Sequence, residues 1–333
     1  MIQLIKKESE LGSVLLPFFG QEKYLKTKSP NYGWFVSEKF ILPFTLFKKL
    51  LFKRIVFTTD IISINENQTI NDEKEFLNDI IEFIKKHNIC DFIHKPQPSV
   101  VFKTYPENSN AYRWGSYIMN TNCDLNILIN GVTASQERTN IRSAIKAGVV
   151  IKKTDDYEEI YAVCNDTLSR QKIPLLINKE EFTNQYKTLY PKNMLLFKAV
   201  YNNIIQGAIV IFYDHENAVA EYSGSVNKAK NGALPLLYLS SIQCLAKDYN
   251  IKSIDFIGAI PDIIEDSKEA RIQRFKKRLG SNLKEGYQFT VIINPIKYFL
   301  FNLLLKARLF IKGVKYIDPV ERDKRLSKTR LEI

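Results

Sequence analysis

The stretch from Val219 to Gly280, with the run that leads into it, constrains the fold more than any other part of the chain. Gly207 to Ser225 is rich in β-branched and aromatic residues and is broken once, at Asp214-His215-Glu216-Asn217, which predicts a hairpin. After a turn at Asn231-Gly232 the apolar spacing changes. Leu234, Leu237, Ile242, Leu245 and Tyr249 recur every three to five residues, so this segment is predicted to be a helix with one buried face. Ile251 to Gly258 is again short and β-branched and ends in glycine, as a buried strand does. A strand returning after a helical crossover lies parallel to the one that preceded the helix. Such a unit either seats a ligand or is a structural sheet with no chemistry, and the order alone does not choose.

The chain's 333 residues leave room for two domains of ordinary size. A bridging helix ending at Gly148 divides it into 1–148, 149–292 and a basic, apolar tail at 293–333. No apolar run follows the basic residues of Met1-Ile-Gln-Leu-Ile-Lys-Lys, which argues against a secretory signal and for a cytoplasmic protein. Cys90, Cys123, Cys164 and Cys244 stand singly in apolar contexts, as buried free thiols do. With His87, His94 and His215 as the only histidines, no metal site is expected. The net charge of +12 calls for a polyanionic partner such as RNA, a nucleotide diphosphate or phospholipid headgroups, or else is an ordinary lysine-rich surface.

Along the chain, residues 1–60 are predicted to be strands and tight turns. A helix capped by Asn71 runs to His87, and a strand lies near Ser99–Lys103. One helix is predicted from Leu125 to Ala147, then a strand at Val149–Lys153, then a helix capped by a box of Asp155 and Glu158. Ile160, Val163 and Thr167 form the inward stripe of that helix, and Arg170 falls on it, as a ligand or as a cation at the helix C-terminus.

In Glu269–Gly280, Ile272, Phe275 and Leu279 define the expected buried edge, and Arg271, Arg274, Lys277 and Arg278 the opposite side. Lys276 lies beside Phe275 at the rim of the apolar stripe, where it either snorkels or points into a cleft. Asn294–Gly313 is apolar nearly all round, with lysines and an arginine interspersed that exclude a membrane span. Packing against the protein's own core is the simpler expectation; the other is peripheral association of 294–313 with the inner face of the membrane. The last residues, from Asp318, are expected to fray.

Four motifs carry a resemblance: Trp114-Gly-Ser-Tyr-Ile118; the helix from Arg138 to Val149; Thr167-Leu-Ser-Arg170; and Ile254-Asp-Phe-Ile-Gly258 followed by Arg274-Phe-Lys-Lys-Arg-Leu-Gly280. With them the chain resembles the FemABX family of non-ribosomal peptidyltransferases and the related BioF2-like acyltransferases of the GNAT type. The resemblance implies an α/β (α+β) fold of two tandem GNAT-like domains, each a mixed, mostly antiparallel sheet flanked by helices. It implies transfer of an aminoacyl group from aminoacyl-tRNA to an amine of a cell-envelope precursor, nucleotide- or lipid-linked, as in peptidoglycan bridge synthesis. No tightly bound cofactor and no metal are implied, and a monomer is expected.

It further implies that Lys276 faces the acyl donor and that Arg170 and Lys26 contact the acceptor's diphosphate, with Trp114 on the substrate side. Tyr222, Ser223 and Asp255 are the polar residues nearest the expected cleft, or simply strand-end and turn residues. Gly232-Ala233 is what remains of a diphosphate-binding loop for acyl-CoA, and no long coiled-coil arm for RNA is present. An acyl-CoA-dependent N-acetyltransferase of an amino-sugar is therefore the alternative. A non-catalytic basic module binding RNA or a membrane surface is the second.

Overall fold

The structure, a computed structural model, describes residues 1–170, 178–311 and 318–328. In chain order its elements are β1 (Gln3–Ile5), α1 (Glu22–Lys28), β2 (Tyr32–Val36), β3 (Phe40–Lys49), β4 (Phe52–Phe57), β5 (Ile62–Ser63), α2 (Ile70–His87) and β6 (Phe92–Ile93). There follow β7 (Asn110–Asn120), α3 (Leu125–Gly131), α4 (Ser135–Lys146), β8 (Val150–Thr154), α5 (Tyr157–Arg170), α6 (Lys179–Leu189), β9 (Met194–Tyr201), β10 (Ile204–Asp214) and β11 (Asn217–Ser225). The chain continues with α7 (Ala233–Tyr249), β12 (Ser253–Asp255), α8 (Lys268–Arg278), β13 (Asn282–Ile292), α9 (Pro295–Ile311) and α10 (Pro319–Leu326).

Two compact units share these elements, and their segments interleave along the chain. The first comprises Met1–Gly115, Gly258–Ala270 and Lys284–Ile333; the second comprises Ser116–Ile257 and Arg271–Leu283. Residues 116–148, which the sequence-based division at Gly148 assigns to the first domain, belong to the second unit.

In the first unit β1, β2, β3 and β4 pair antiparallel in sequence order, β6 joins β4 in parallel, and β13 closes on β6 antiparallel. Phe35, Phe44, Phe57, Ile80, Ile84 and Phe289 are among the residues that fill its core. In the second unit β8, β9, β10 and β11 pair antiparallel in turn. There β12 joins β11 in parallel, and β7 closes on β12 antiparallel.

Each unit thus repeats one plan: a hairpin, a helical crossover (α2 or α7), one parallel strand, and an antiparallel strand beyond it. The helix returns the chain to the same sheet, which is why the single parallel pair in each unit follows it. The expected α/β fold of two GNAT-like units, each a mixed, mostly antiparallel sheet flanked by helices, is the fold observed.

Several local expectations change. Thr69, not Asn71, caps α2: its hydroxyl accepts from the Asp72 N–H while the Asp72 carboxylate accepts from the Thr69 N–H, a reciprocal pair that Asn71 does not make. Asp156 rather than Asp155 caps α5, accepting from the Glu159 N–H at 3.0 Å. The long helix expected at Leu125–Ala147 is two, α3 and α4. It breaks because the Thr133 N–H donates to the Arg278 carbonyl (2.9 Å) instead of continuing the helical ladder.

Residues 22–28 are helical, not strand and turn, and Ser99–Lys103 forms no strand although Val100, Val101 and Phe102 are buried. The expected strand Ile251–Gly258 shortens to Ser253–Asp255. Cys90 and Cys164 are buried, but Cys123 is exposed. The acidic–basic tail does not fray at its start. Asp318 caps α10 by accepting from the Val320 and Glu321 N–H groups, and Asp323 pairs, buried, with Lys95. Residues 329–333 lie outside the described ones.

Candidate functional site

The second unit contains an opening between two parallel strands. β11 and β12 pair only at Asn217↔Ser253, Ala218↔Ile254 and Val219↔Asp255. β12 then ends while β11 runs on to Ser225. One extra residue, Glu221, sits in β11 where Val210↔Tyr222 is followed by Ile211↔Ala220, a bulge that bends the strand as it leaves its partner. The backbone groups of Ala220–Ser225 on the side away from β10 therefore have no β12 beside them. A strand opening of this kind can present backbone N–H donors to a carbonyl oxygen that becomes negative during reaction, although the Ser225 N–H is already given to Thr167 Oγ1.

β12 stops for a local reason. The Asp255 carboxylate accepts from the Ile257 N–H at 2.7 Å, an Asx-type turn that pulls the chain out of the strand direction. Ser116 Oγ donates to the same carboxylate oxygen, so Asp255 is fixed from two sides. Ile257 is held at φ +39°, a conformation that β-branched residues avoid.

The carbonyl of Ile257 accepts from Lys276 Nζ. Lys276 is on α8, half-buried on the same face as the buried Gln273 and Leu279. Burial pulls its ammonium down to about 8, against the opposing effect of the Asp255 carboxylate, which favours the charged form. Next to it on α8, Phe275 meets the ring of Tyr238 edge-on at 5.2 Å, and Phe256 meets that ring from β12's end at 5.7 Å. The Tyr238 hydroxyl donates to Ser223 Oγ at 2.7 Å, and burial pushes the phenol up to about 12. Ser223, Tyr238, Phe256, Phe275, Lys276, Asp255 and Ser116 thus form one connected set around the strand opening.

Of the residues expected at a site, Lys276, Asp255 and Ser223 are in this set. Tyr222 is not: the Glu221 bulge leaves Tyr222 on the sheet face toward α6, where its ring meets Phe182 at 6.0 Å, while Ser223 turns to α7. Arg170 stands at the far end of β11. Its guanidinium donates to the Ser225 carbonyl, to Thr167 Oγ1 (3.2 Å) and to Asp166 (2.8 Å), and Thr167 Oγ1 accepts from the Ser225 N–H at 2.9 Å. The Thr167-x-x-Arg170 motif is therefore a clasp on the end of β11. Packing there is so close that a Cβ on Gly224 would meet Val163 O at 2.7 Å.

Gly232 and Ala233 begin α7, where Gly232 takes φ +80° against the backbone of Asn140. The first-turn donors of α7 are mostly committed: Ala233 N–H donates to Lys230 O, Leu236 N–H donates to Gly232 O, and Pro235 has none.

Lys26 and Trp114 belong to the first unit. Lys26 is an exposed member of an ion pair with Glu22 (2.8 Å) on α1. Trp114 donates to the Pro98 carbonyl and carries Lys95 Nζ 4.0 Å from its ring centroid. Ile272, expected in the buried edge of α8, is 41% exposed, and Gln273 takes its place. Sequence reasoning missed Ser116 and Tyr238. Ser116 lies inside a quoted motif, but Tyr238 reads only as one more apolar helix position. Among the described residues no three His, Cys, Asp or Glu side chains gather as metal ligands do.

No family model matches the chain, and no curated protein matches it. Among solved structures it is similar to FemX, at 14% identity over 85% of this chain and 94% of that one, with a TM-score of 0.61. It is also similar to the C-terminal domain of a candidate lysylphosphatidylglycerol synthetase from Agrobacterium fabrum, at 10% identity over 87% and 92% of the two chains, with a TM-score of 0.52. With the strand opening, the bulge and the repeated plan of its two units, the chain has a FemABX/GNAT-like fold.

Proposed function

We propose that this protein is an acyltransferase that forms an amide on an amine of a nucleotide- or lipid-linked cell-envelope precursor. The observation that supports it most is Lys276 Nζ, its pKa lowered to about 8, held at the Ile257 carbonyl where β11 and β12 part. The acceptor's amine attacks the carbonyl carbon of an activated acyl donor, and the carbonyl electron pair moves onto oxygen. Collapse re-forms C=O, breaks the bond to the leaving oxygen or sulfur, and passes the proton lost by nitrogen to that leaving group. In this reading the Lys276 ammonium stabilises the oxyanion, the larger part of catalysis in acyl transfer, and Asp255 keeps Lys276 charged. Lys276 and Asp255 take the catalytic roles; Arg170 and Ser223 line the acceptor and donor sides. Tyr222 supports β11 from its opposite face.

The donor we assign first is an aminoacyl ester, as on aminoacyl-tRNA. The crowded start of α7, with Gly232 against Asn140 and few donors left, is poorly suited to the diphosphate of acyl-CoA. The test is donor consumption by the purified protein with a mixture of amine acceptors, products being identified by mass spectrometry. Aminoacyl transfer that stops in Lys276→Met supports the reading. Turnover of acetyl-CoA without any tRNA would replace it with the amino-sugar N-acetyltransferase, and salt-sensitive RNA binding with no transfer to any amine would replace it with the non-catalytic module.

A further inference from the structure

The first unit carries an apolar surface built from two elements. In α9, none of the residues is buried, although the sequence predicts a helix packed into the core. Its inner side does pack: Phe301 meets Phe52 at 5.6 Å and Phe92 at 5.0 Å, and Tyr298 meets Phe92 at 5.2 Å. Its outer side is Ile296, Phe299, Leu300, Leu303, Leu304 and Phe310, all exposed, with Phe310 at 84%. At 100° per residue these span an arc of roughly 140°. Lys306 falls at one border of the arc and Lys297 and Arg308 at the other.

The second element is the tip of the β3–β4 hairpin. Lys49 pairs with Phe52, so Leu50 and Leu51 form a two-residue turn, 86% and 77% exposed. Leu50 is at φ +54°, in a turn position that hairpins give to asparagine or glycine. A bulky apolar residue there adds strain and exposes oily surface without any packing return in the folded chain. Lys48 and Lys49 are exposed beside it. The Phe52–Phe301 contact joins the tip to α9. Asp91 ties them again, accepting from the Lys53 N–H at 2.7 Å and pairing with Lys297 at 2.9 Å.

We infer that α9 and the Leu50-Leu51 tip together dock this protein onto an anionic lipid surface, the helix lying in the plane of the headgroups. Apolar exposure bordered by cations on both sides matches acyl chains beneath negatively charged headgroups, and the chain's net charge of +12 has the complementary sign. A buried protein partner would not need the bordering lysines. Spanning is excluded for this helix: at about 1.5 Å per residue it falls short of a hydrocarbon core of about 30 Å, and among the described residues no helix is long and apolar enough to cross. This surface belongs to the first unit, and its test makes no use of the transferase reaction.

The test is co-sedimentation of the full chain with phosphatidylglycerol vesicles and with phosphatidylcholine vesicles, alongside light scattering. Wild type is expected to bind the anionic vesicles at least about tenfold better, the preference falling in high salt. Leu303→Asp with Phe310→Asp, and separately Leu50→Asn with Leu51→Gly, are expected to lose at least about tenfold in binding without lowering Tm, since the replaced side chains are exposed and asparagine suits the left-handed turn position of Leu50. Absence of wild-type binding to anionic vesicles, or unchanged binding in both apolar variants, overturns the inference. So does a dimer in solution that the apolar variants dissociate, which would make a second copy the occupant.

Discussion

Lys276 Nζ donates to the carbonyl of Ile257, a β-branched residue at φ +39°, two positions after the Asp255 carboxylate that favours the lysine's charge. If the ammonium stabilises an oxyanion, activity falls as pH rises through about 8, where Lys276 loses its proton. Lys276→Met is expected to lower kcat by about a hundredfold or more. Lys276→Arg is expected to keep part of the activity and to lose the alkaline limb, because a guanidinium does not titrate there. The pH–rate profiles of the three proteins check this, and an unchanged alkaline limb in Lys276→Arg would remove Lys276 as its source.

The same burial has a stability consequence whose sign is fixed. The folded-state pKa is depressed, so below about 8 both states hold the proton and the folded chain bears the whole cost of a poorly solvated charge. Between about 8 and the ordinary 10.5 the unfolded chain binds more protons, and wild type gains stability as pH rises. Lys276→Met is therefore expected to melt above wild type at pH 7, with the gap closing by pH 10. Calorimetry across that range decides it, and a gap that widens with pH would contradict the burial argument.

Arg170 is engaged with Ser225, Thr167 and Asp166 at the end of β11. Arg170→Ala is expected to raise the acceptor's KM about tenfold, about 1.4 kcal/mol, with a smaller change in kcat. Initial-rate kinetics at saturating donor separate the two. A fall in kcat with KM unchanged would reduce Arg170 to the clasp on β11 and nothing more.

The unit from β10 to β12 was legible because its breaks are chemical: Asp214-His215-Glu216-Asn217 and Asn231-Gly232 are turn residues, and the apolar period changes between them. The position of Lys276 at the rim of an apolar stripe was legible for the same reason. What failed depended on distant partners. At Val132-Thr133 a local mark does precede the break, the turn dipeptide Asn130-Gly131, but the apolar period runs past it and the partner that anchors the break, the carbonyl of Arg278, is distant in sequence. The bulge at Glu221 reverses which face Tyr222 takes, and strict alternation does not foresee it. On α8 the polar Gln273 is buried at 7% exposure while Ile272 is 41% exposed, an arrangement that a hydrophobic stripe does not record.

Gly232 starts α7 at φ +80°, with an added Cβ falling onto the carbonyl of Asn140 in α4. Both effects oppose any side chain, and backbone on the other side has little room to yield. Gly232→Ala is expected to cost at least about 2 kcal/mol, the sum of a left-handed alanine and an overpacked contact. Denaturant unfolding measures it. A loss near zero would mean that α4 and the start of α7 move apart readily, and the crowding held here against a diphosphate would lose its force.

Gln185 lies on α6 with no exposed surface, and neither its amide nitrogen nor its amide oxygen has a hydrogen-bond partner among the described residues. An unpaired buried polar group costs about 1–3 kcal/mol, whereas an apolar side chain of similar volume carries no such penalty. Gln185→Met is therefore expected to stabilise the protein by about 1 kcal/mol and raise Tm by about 2–4 °C. Gln185→Glu, which places a charge where nothing pairs with it, is expected to melt below wild type. The pair of variants separates two causes. If Gln185→Met instead lowers both Tm and activity, the amide is serving a bound group, and α6 joins the site on the opposite face of β11.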